Sequence, residues 1–167
     1  LRHMDNSAGI EHFPERQMDM CRLGLGLYGV DPRDNRILHT VSTLKTTILQ
    51  MRQVPKTDTV GYSRKGKLTR DSVIAAIPIG YADGLNRHLG NRNCYCLVNG
   101  QKAEYVGNIC MDVALIDVTD IPCVEGDQVE IFGENLPVTV LSDVLQTIPY
   151  EVLTGISNRV KRVYFQD

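Results

Sequence analysis

The sequence has no long hydrophobic run. Its longest apolar stretch, Val73-Ile-Ala-Ala-Ile-Pro-Ile79, falls far short of the roughly 20 residues needed to cross a bilayer as a helix. The opening Leu1-Arg-His-Met carries no apolar core of a secretory signal. A dominant charge is missing too: 18 Lys and Arg stand against 20 Asp and Glu, a net −2, which leaves no basic footprint for nucleic acid or anionic membrane. There are no repeats and no low-complexity tracts. The five cysteines, at 21, 94, 96, 110 and 123, are odd in number and do not suit a secreted disulfide framework, so a reducing cytoplasm is expected. Cys94-Tyr-Cys96 has no second close pair, and the histidines (3, 12, 39, 88) are scattered, so no metal site is expected.

What remains is ordinary globular material: 167 residues, 43% hydrophobic and 23% charged, enough for one domain or one domain plus a piece of another. The chain begins inside sequence that already reads as functional, as an excised piece of a longer protein would. From about residue 41 the texture is that of short strands. Thr43 to Val54, Ser72 to Ile79, Cys94 to Val98, Gln101 to Val106, Val113 to Val118 and Gln128 to Phe132 are rich in β-formers and bounded by Gly, Pro, Asn or Asp. Asn99-Gly100 between two of them predicts a tight hairpin, because both turn positions need positive φ. Ser142 is read as the cap of a short helix over 143–148, and a second helical turn is read over 151–156. Val160 to Phe165 then reads as a closing strand. The expected fold class is mainly β: a C-terminal barrel-like domain with short helices over 41–167, preceded by residues 1–40 as the tail of a βα-type domain.

Residues 21–29, Cys-Arg-Leu-Gly-Leu-Gly-Leu-Tyr-Gly, contain a G-x-G-x-x-G pattern. A dinucleotide turn would need a helix after the glycines and an acid about 20 residues on. Pro32 forbids the helix, and no Asp or Glu lies near residue 49. The alternatives are a short strand at Arg22-Leu23 leading into an anion-binding nest of backbone N–H groups, or glycines that merely permit close packing.

Further motifs follow in order: His3-Met-Asp-Asn-Ser-Ala-Gly9, Val60-Gly-Tyr62, Ile79-Gly-Tyr-Ala-Asp-Gly84, Gly107-Asn-Ile-Cys-Met-Asp112 and Ile148-Pro-Tyr-Glu-Val152. With the glycine stretch they make the whole chain resemble the alanine racemases, pyridoxal-phosphate (PLP) enzymes that supply D-alanine for peptidoglycan precursors. The resemblance implies the last strands of a PLP-binding α/β barrel, then the C-terminal β domain, which completes the active site of a second subunit in a homodimer. It implies that Ser7, Gly24, Leu25 and Tyr150 hold the cofactor phosphate, by hydroxyl, backbone N–H and phenol. It also implies that Arg22 donates to the cofactor ring nitrogen, with His3 hydrogen-bonded behind it. Arginine keeps its proton, so the ring would stay unprotonated and act as a restrained electron sink, favouring simple inversion over transamination.

Inverting a Cα needs an acid/base group on each face. The resemblance assigns one to the cofactor lysine and the other, acting on L-alanine, to Tyr62. A phenol is a poor base at neutral pH unless cations stabilise its phenolate, so a positive pocket is expected around Tyr62. Tyr81 and Met111 would line the substrate approach, Met111 offering its backbone N–H to the alanine carboxylate, and Asp112 would orient its neighbours. The basic run Arg64-Lys-Gly-Lys67 departs from the family pattern. No segment corresponds to the Schiff-base lysine or to the arginine that helps hold the substrate carboxylate, so the chain alone is expected to be inactive. The competing readings are a non-catalytic β-barrel interaction module, a racemase acting on serine or on a broad range of amino acids, and a decarboxylase. Ser7 could instead cap a helix, and Arg22 could pair on the surface with Glu15 or Asp19.

Overall fold

In the computed structural model, which describes residues 1–165, the chain forms two compact units, Leu1–Thr43 and Leu44–Asp167. The first is short and loop-rich. Helix α1 (Ser7–His12) starts at Asn6, whose side chain accepts from Gly9 N–H at 3.0 Å. Asn6, not Ser7, is therefore the cap. Three-residue and four-residue 3-10 turns follow at Pro14–Arg16 and Leu25–Tyr28. Arg22-Leu23, expected as a short strand, is irregular, and its ladder is reduced to Arg22 N–H bonding Asp5 O at 2.9 Å. Buried Asp31 folds the connector on itself, taking Arg33 Nε and Nη2 at 3.0 and 2.6 Å and Arg36 Nη2 at 3.2 Å.

The second unit is a β domain. Its strands are β1 (Leu44–Thr47), β2 (Gln50–Val54), β3 (Thr59–Val60), β4 (Gly66–Lys67), β5 (Ser72–Ile77), β6 (Tyr95–Val98), β7 (Gln101–Glu104), β8 (Ala114–Asp117) and β9 (Gln128–Phe132). One antiparallel sheet runs β1-β9-β6-β7 and another β2-β5-β8, while β3 and β4 make a separate hairpin. The expected single strand over 43–54 is one extended chain that changes sheets midway. Ile48 N–H bonds Asp127 O at 3.0 Å, beside β9, and Leu49 N–H bonds Ala76 O on β5 at 2.8 Å. At the far side a bridge from Tyr105 to Ile116 joins the end of β7 to β8. The two sheets thus meet at both ends, as the expected barrel requires.

Burial holds the strands together: β5, β6 and β9 each bury consecutive residues, while β8 alternates buried and half-buried positions. Ile74, Ile77, Val98, Ile116, Val129 and Ile131 are all at most 5% exposed and fill the interior, each contributing about 1.5–3 kcal/mol by leaving water. Cys94, just before β6, and Cys96 within it are both buried, and among the described residues no group of three or more His, Cys, Asp or Glu could hold a metal ion. The Asn99-Gly100 turn has φ of 50° and 76° and joins β6 to β7 as expected.

Two helices pack on each other late in the chain: α2 (Val138–Val144) and α3 (Pro149–Gly155). Ser142 does not cap α2. The helix begins four residues earlier, after Pro137, and the Ser142 hydroxyl donates inside it to Thr139 O at 3.0 Å. No strand forms over 160–165 among the described residues. Arg162 instead curls the segment, donating to the carbonyls of Ile156, Ser157 and Val160 at 2.9–3.0 Å.

Candidate active site

In the first unit, Ser7 and the glycine stretch come together. Gly24 N–H donates to Ser7 Oγ at 2.7 Å, with Ser7 7% exposed. Leu25 is buried and opens the 3-10 turn, so its amide and that of Gly26 have no acceptor within the turn. A hydroxyl and neutral amides converging in this way suit a phosphate group, which needs donors and no fixed counter-charge. The Arg22 guanidinium reaches back to the 3-to-7 turn, donating from Nη2 to Met4 O at 2.8 Å, and keeps its other N–H groups for an acceptor. Asp19 pairs with Arg2 and Glu15 with Arg16, so neither takes Arg22. The expected hydrogen bond between Arg22 and His3 is not formed among the described residues. The guanidinium takes the Met4 carbonyl, and the His3 ring is exposed. Asp5 is 7% exposed, and its Oδ2 finds no partner among the described residues.

The second unit gathers its own set. Tyr62 stands at the tip of the β3–β4 hairpin, in a 3-10 turn over Tyr62–Arg64 in which Ser63 and Arg64 have φ of 58° and 52°. Non-glycine residues pay for such a conformation in strain, which persists only where surrounding structure fixes it. Here Asn108, 7% exposed, donates to Tyr62 O at 3.4 Å and accepts from Asn91 at 3.0 Å. The basic run after Tyr62 is the return of this hairpin, and Arg64 is tied to Thr59 Oγ1 at 3.2 Å.

Tyr62, Tyr81, Met111 and Asp112 line one cleft of about 690 Å³, with Arg87 and Asn108. Arg87 is the cation that lines this cleft with Tyr62. Tyr62 is 73% exposed, so it stands largely in solvent. The Tyr81 and Met111 turns are locked together: Tyr81 N–H bonds Cys110 O and Ala82 N–H bonds Met111 O, both at 3.0 Å. Gly80 makes that approach possible, since a Cβ there would lie 2.3 Å from the carbonyl oxygens of both Cys110 and Met111. The Met111 amide itself meets no acceptor among the described residues and is available to a carboxylate. Tyr150 lies elsewhere in this unit, half-buried in the first turn of α3, and does not line the cleft.

Asp112 is held by Arg159, whose Nη2 donates to it at 2.6 Å while Nε donates to Asp83 at 2.7 Å. Burial raises the Asp83 carboxyl, but the Arg159 hydrogen bond and the Gly80 N–H outweigh it and hold it below the usual carboxylate range. The same two carboxylates push the Arg159 guanidinium above its ordinary value, Asp83 more than Asp112. Arg159 carries no local signature and lies beside a segment read as strand. Asn108 and Arg87 were within reach, one inside the quoted 107–112 motif and one just past the 79–84 motif.

Comparisons with known proteins agree with these motifs. A family model described as alanine racemase, C-terminal domain, matches residues 41–164. Alanine racemase 1 of Clostridium acetobutylicum is 39% identical over 177 residues, covering 100% of this chain and 46% of that protein. Alanine racemase 2 of Caldanaerobacter subterraneus is 43% identical over 173 residues, covering 98% and 44%. Among solved structures, alanine racemase of Clostridium difficile 630 matches with a TM-score of 0.90 at 38% identity, over 98% of this chain and 44% of that one. The Bartonella henselae alanine racemase, with covalently bound pyridoxal phosphate, matches at 0.89 and 38%, over 96% and 46%. The chain spans less than half the length of these relatives. It belongs to the alanine racemase family, and residues 41–164 are that family's C-terminal domain.

Proposed function

We propose that this chain is the C-terminal part of a PLP-dependent alanine racemase that interconverts L- and D-alanine for peptidoglycan precursors. The observation that carries the reading is the cleft in which Tyr62, Tyr81, Met111 and Asp112 converge with Arg87. In this reading the two units serve different parts of the reaction. In the first unit, Ser7 and the Leu25 amide bind the cofactor phosphate, with Gly24 N–H holding the Ser7 hydroxyl in place, and Arg22 faces the ring nitrogen. Bound PLP supplies the electron withdrawal that acidifies the substrate Cα proton.

Tyr62 takes or returns that proton on the face belonging to L-alanine. Arg87 lines the same cleft, and Asn108 fixes the turn from which Tyr62 projects. Met111 N–H receives the alanine carboxylate, Tyr81 bounds the approach, and Asp112 orders the turn. The opposite face is served by a lysine of an N-terminal barrel, and the cleft is completed by a second subunit of a homodimer. The chain then works in the cytoplasm, where alanine is available, and by itself is inactive.

The test is Tyr62→Phe in the complete protein that carries this chain. Racemisation should fall by about 10²–10⁴-fold, the usual worth of a positioned acid/base group, while the absorption band of bound cofactor persists. Turnover at the wild-type rate removes Tyr62 from the role.

A further inference from the structure

Arg159 stands at a junction that the cleft residues alone do not explain. Asp83 and Asp112, which it joins at 2.7 and 2.6 Å, belong to different turns. Asp83 is fixed on its other side as well. Its Oδ2 accepts from Gly80 N–H at 2.8 Å, and its carbonyl accepts from Ser157 N–H at 2.9 Å. One guanidinium therefore links the turn carrying Tyr81, the segment after α3, and the turn carrying Met111.

The backbone bonds from Tyr81 and Ala82 pin the two turns at Cys110 and Met111. They do nothing for the Asp112 carboxylate one residue on, which lines the cleft with a side chain 59% exposed. Left alone, it would place a mobile negative charge where an amino-acid carboxylate has to arrive. The planar guanidinium presents its donors in a fixed fork, which can hold two carboxylates at once in a way that an ammonium on a flexible stem cannot.

We infer that Arg159 is a positioning residue: it holds the Tyr81 and Met111 turns together and neutralises Asp112, so that the Met111 amide can receive a substrate carboxylate. The inference rests on the reading of this cleft as the alanine site. It concerns substrate capture and not proton transfer, so it separates KM from kcat.

The experiment uses the complete protein, with kcat and KM for L-alanine measured per bound cofactor. Arg159→Met should raise KM about five- to tenfold and leave kcat within about twofold, as expected of a half-exposed ion pair acting on substrate binding. Arg159→Lys, which keeps the charge and loses the fork, should fall between. Adding Asp112→Asn to Arg159→Met removes the stranded carboxylate and should bring KM back toward the wild-type value. A purely structural role would lower the melting temperature and kcat, leave KM within twofold, and show no rescue by Asp112→Asn; that result overturns the inference. Should Arg159→Met fail to fold, Arg159→Lys carries the comparison: a KM raised at least about twofold supports the role and an unchanged one overturns it. A wild-type protein that does not racemise alanine overturns the underlying reading instead, so the two failures are distinguishable.

Discussion

Gly80→Ala is a sharp perturbation, because the added methyl has nowhere to go. Its Cβ would sit 2.3 Å from two carbonyl oxygens and 2.5 Å from the Met111 carbonyl carbon, where ordinary contact begins at 3.4 Å. The neighbours are backbone, so the turns carrying Tyr81 and Met111 must part by about 1 Å. Overpacking of this kind costs about 1–3 kcal/mol. The bonds from Tyr81 and Ala82 N–H are stretched as well, at about 1 kcal/mol each. A total loss of roughly 3–5 kcal/mol follows, and a shift of ~1 Å in a substrate site can lower kcat/KM by up to about 10²-fold. Thermal melting and steady-state kinetics of the complete protein read both. Gly155→Ala is the control: nothing lies within 4 Å of its Cβ, and it closes α3, so it should be neutral or stabilise by about 0.5–1 kcal/mol. If Gly80→Ala melts and turns over like the wild type, the close approach of the two turns has no bearing on the site and the reasoning fails.

Asn108→Ala frees the Tyr62 turn of one hydrogen bond and should slow racemisation by roughly fivefold, about 1 kcal/mol, with cofactor absorption unchanged. Burial pushes the Cys96 thiol from 9.0 up to about 12. The unfolded thiol ionises first as pH rises, so stability present at neutral pH is lost between about pH 9 and 12. Denaturant titrations of wild type and Cys96→Ala should diverge in that window. Hydrogen bonds from Arg33, then from its backbone N–H, hold the Asp31 carboxyl well below the usual 3.8. Its contribution is present above 3.8 and lost as pH falls below it, so Asp31→Asn should speed proteolysis of the 31–39 connector at pH 6 and make progressively less difference in more acidic buffer.

Much of the β domain was legible because it is written in local signals. Asn99-Gly100 dictated its hairpin by φ alone, and β9 lies where its apolar run and flanking Asp and Gly put it. The sheet change at Ile48-Leu49 was not legible, since an extended chain looks the same whichever sheet it pairs with. The start of α2 was hidden by Val138-Thr-Val, which reads as strand. Tertiary burial of Val138 and Leu141 overrides that propensity. The candidate site divides the same way. Tyr62, Tyr81, Met111 and Asp112 each sit in a short specific motif, and the structure brings them to one cleft. Arg159 acts through partners 76 and 47 residues away, a pairing with no local signature. The His3–Arg22 contact is implied by resemblance alone, and here the guanidinium donates to the Met4 carbonyl.

The most direct measurement of the central claim is exchange of the alanine Cα proton with solvent deuterium in the complete protein bearing Tyr62→Phe. The account predicts that exchange from L-alanine is lost, that exchange from D-alanine continues, and that cofactor remains bound. Exchange from L-alanine at the wild-type rate would contradict it.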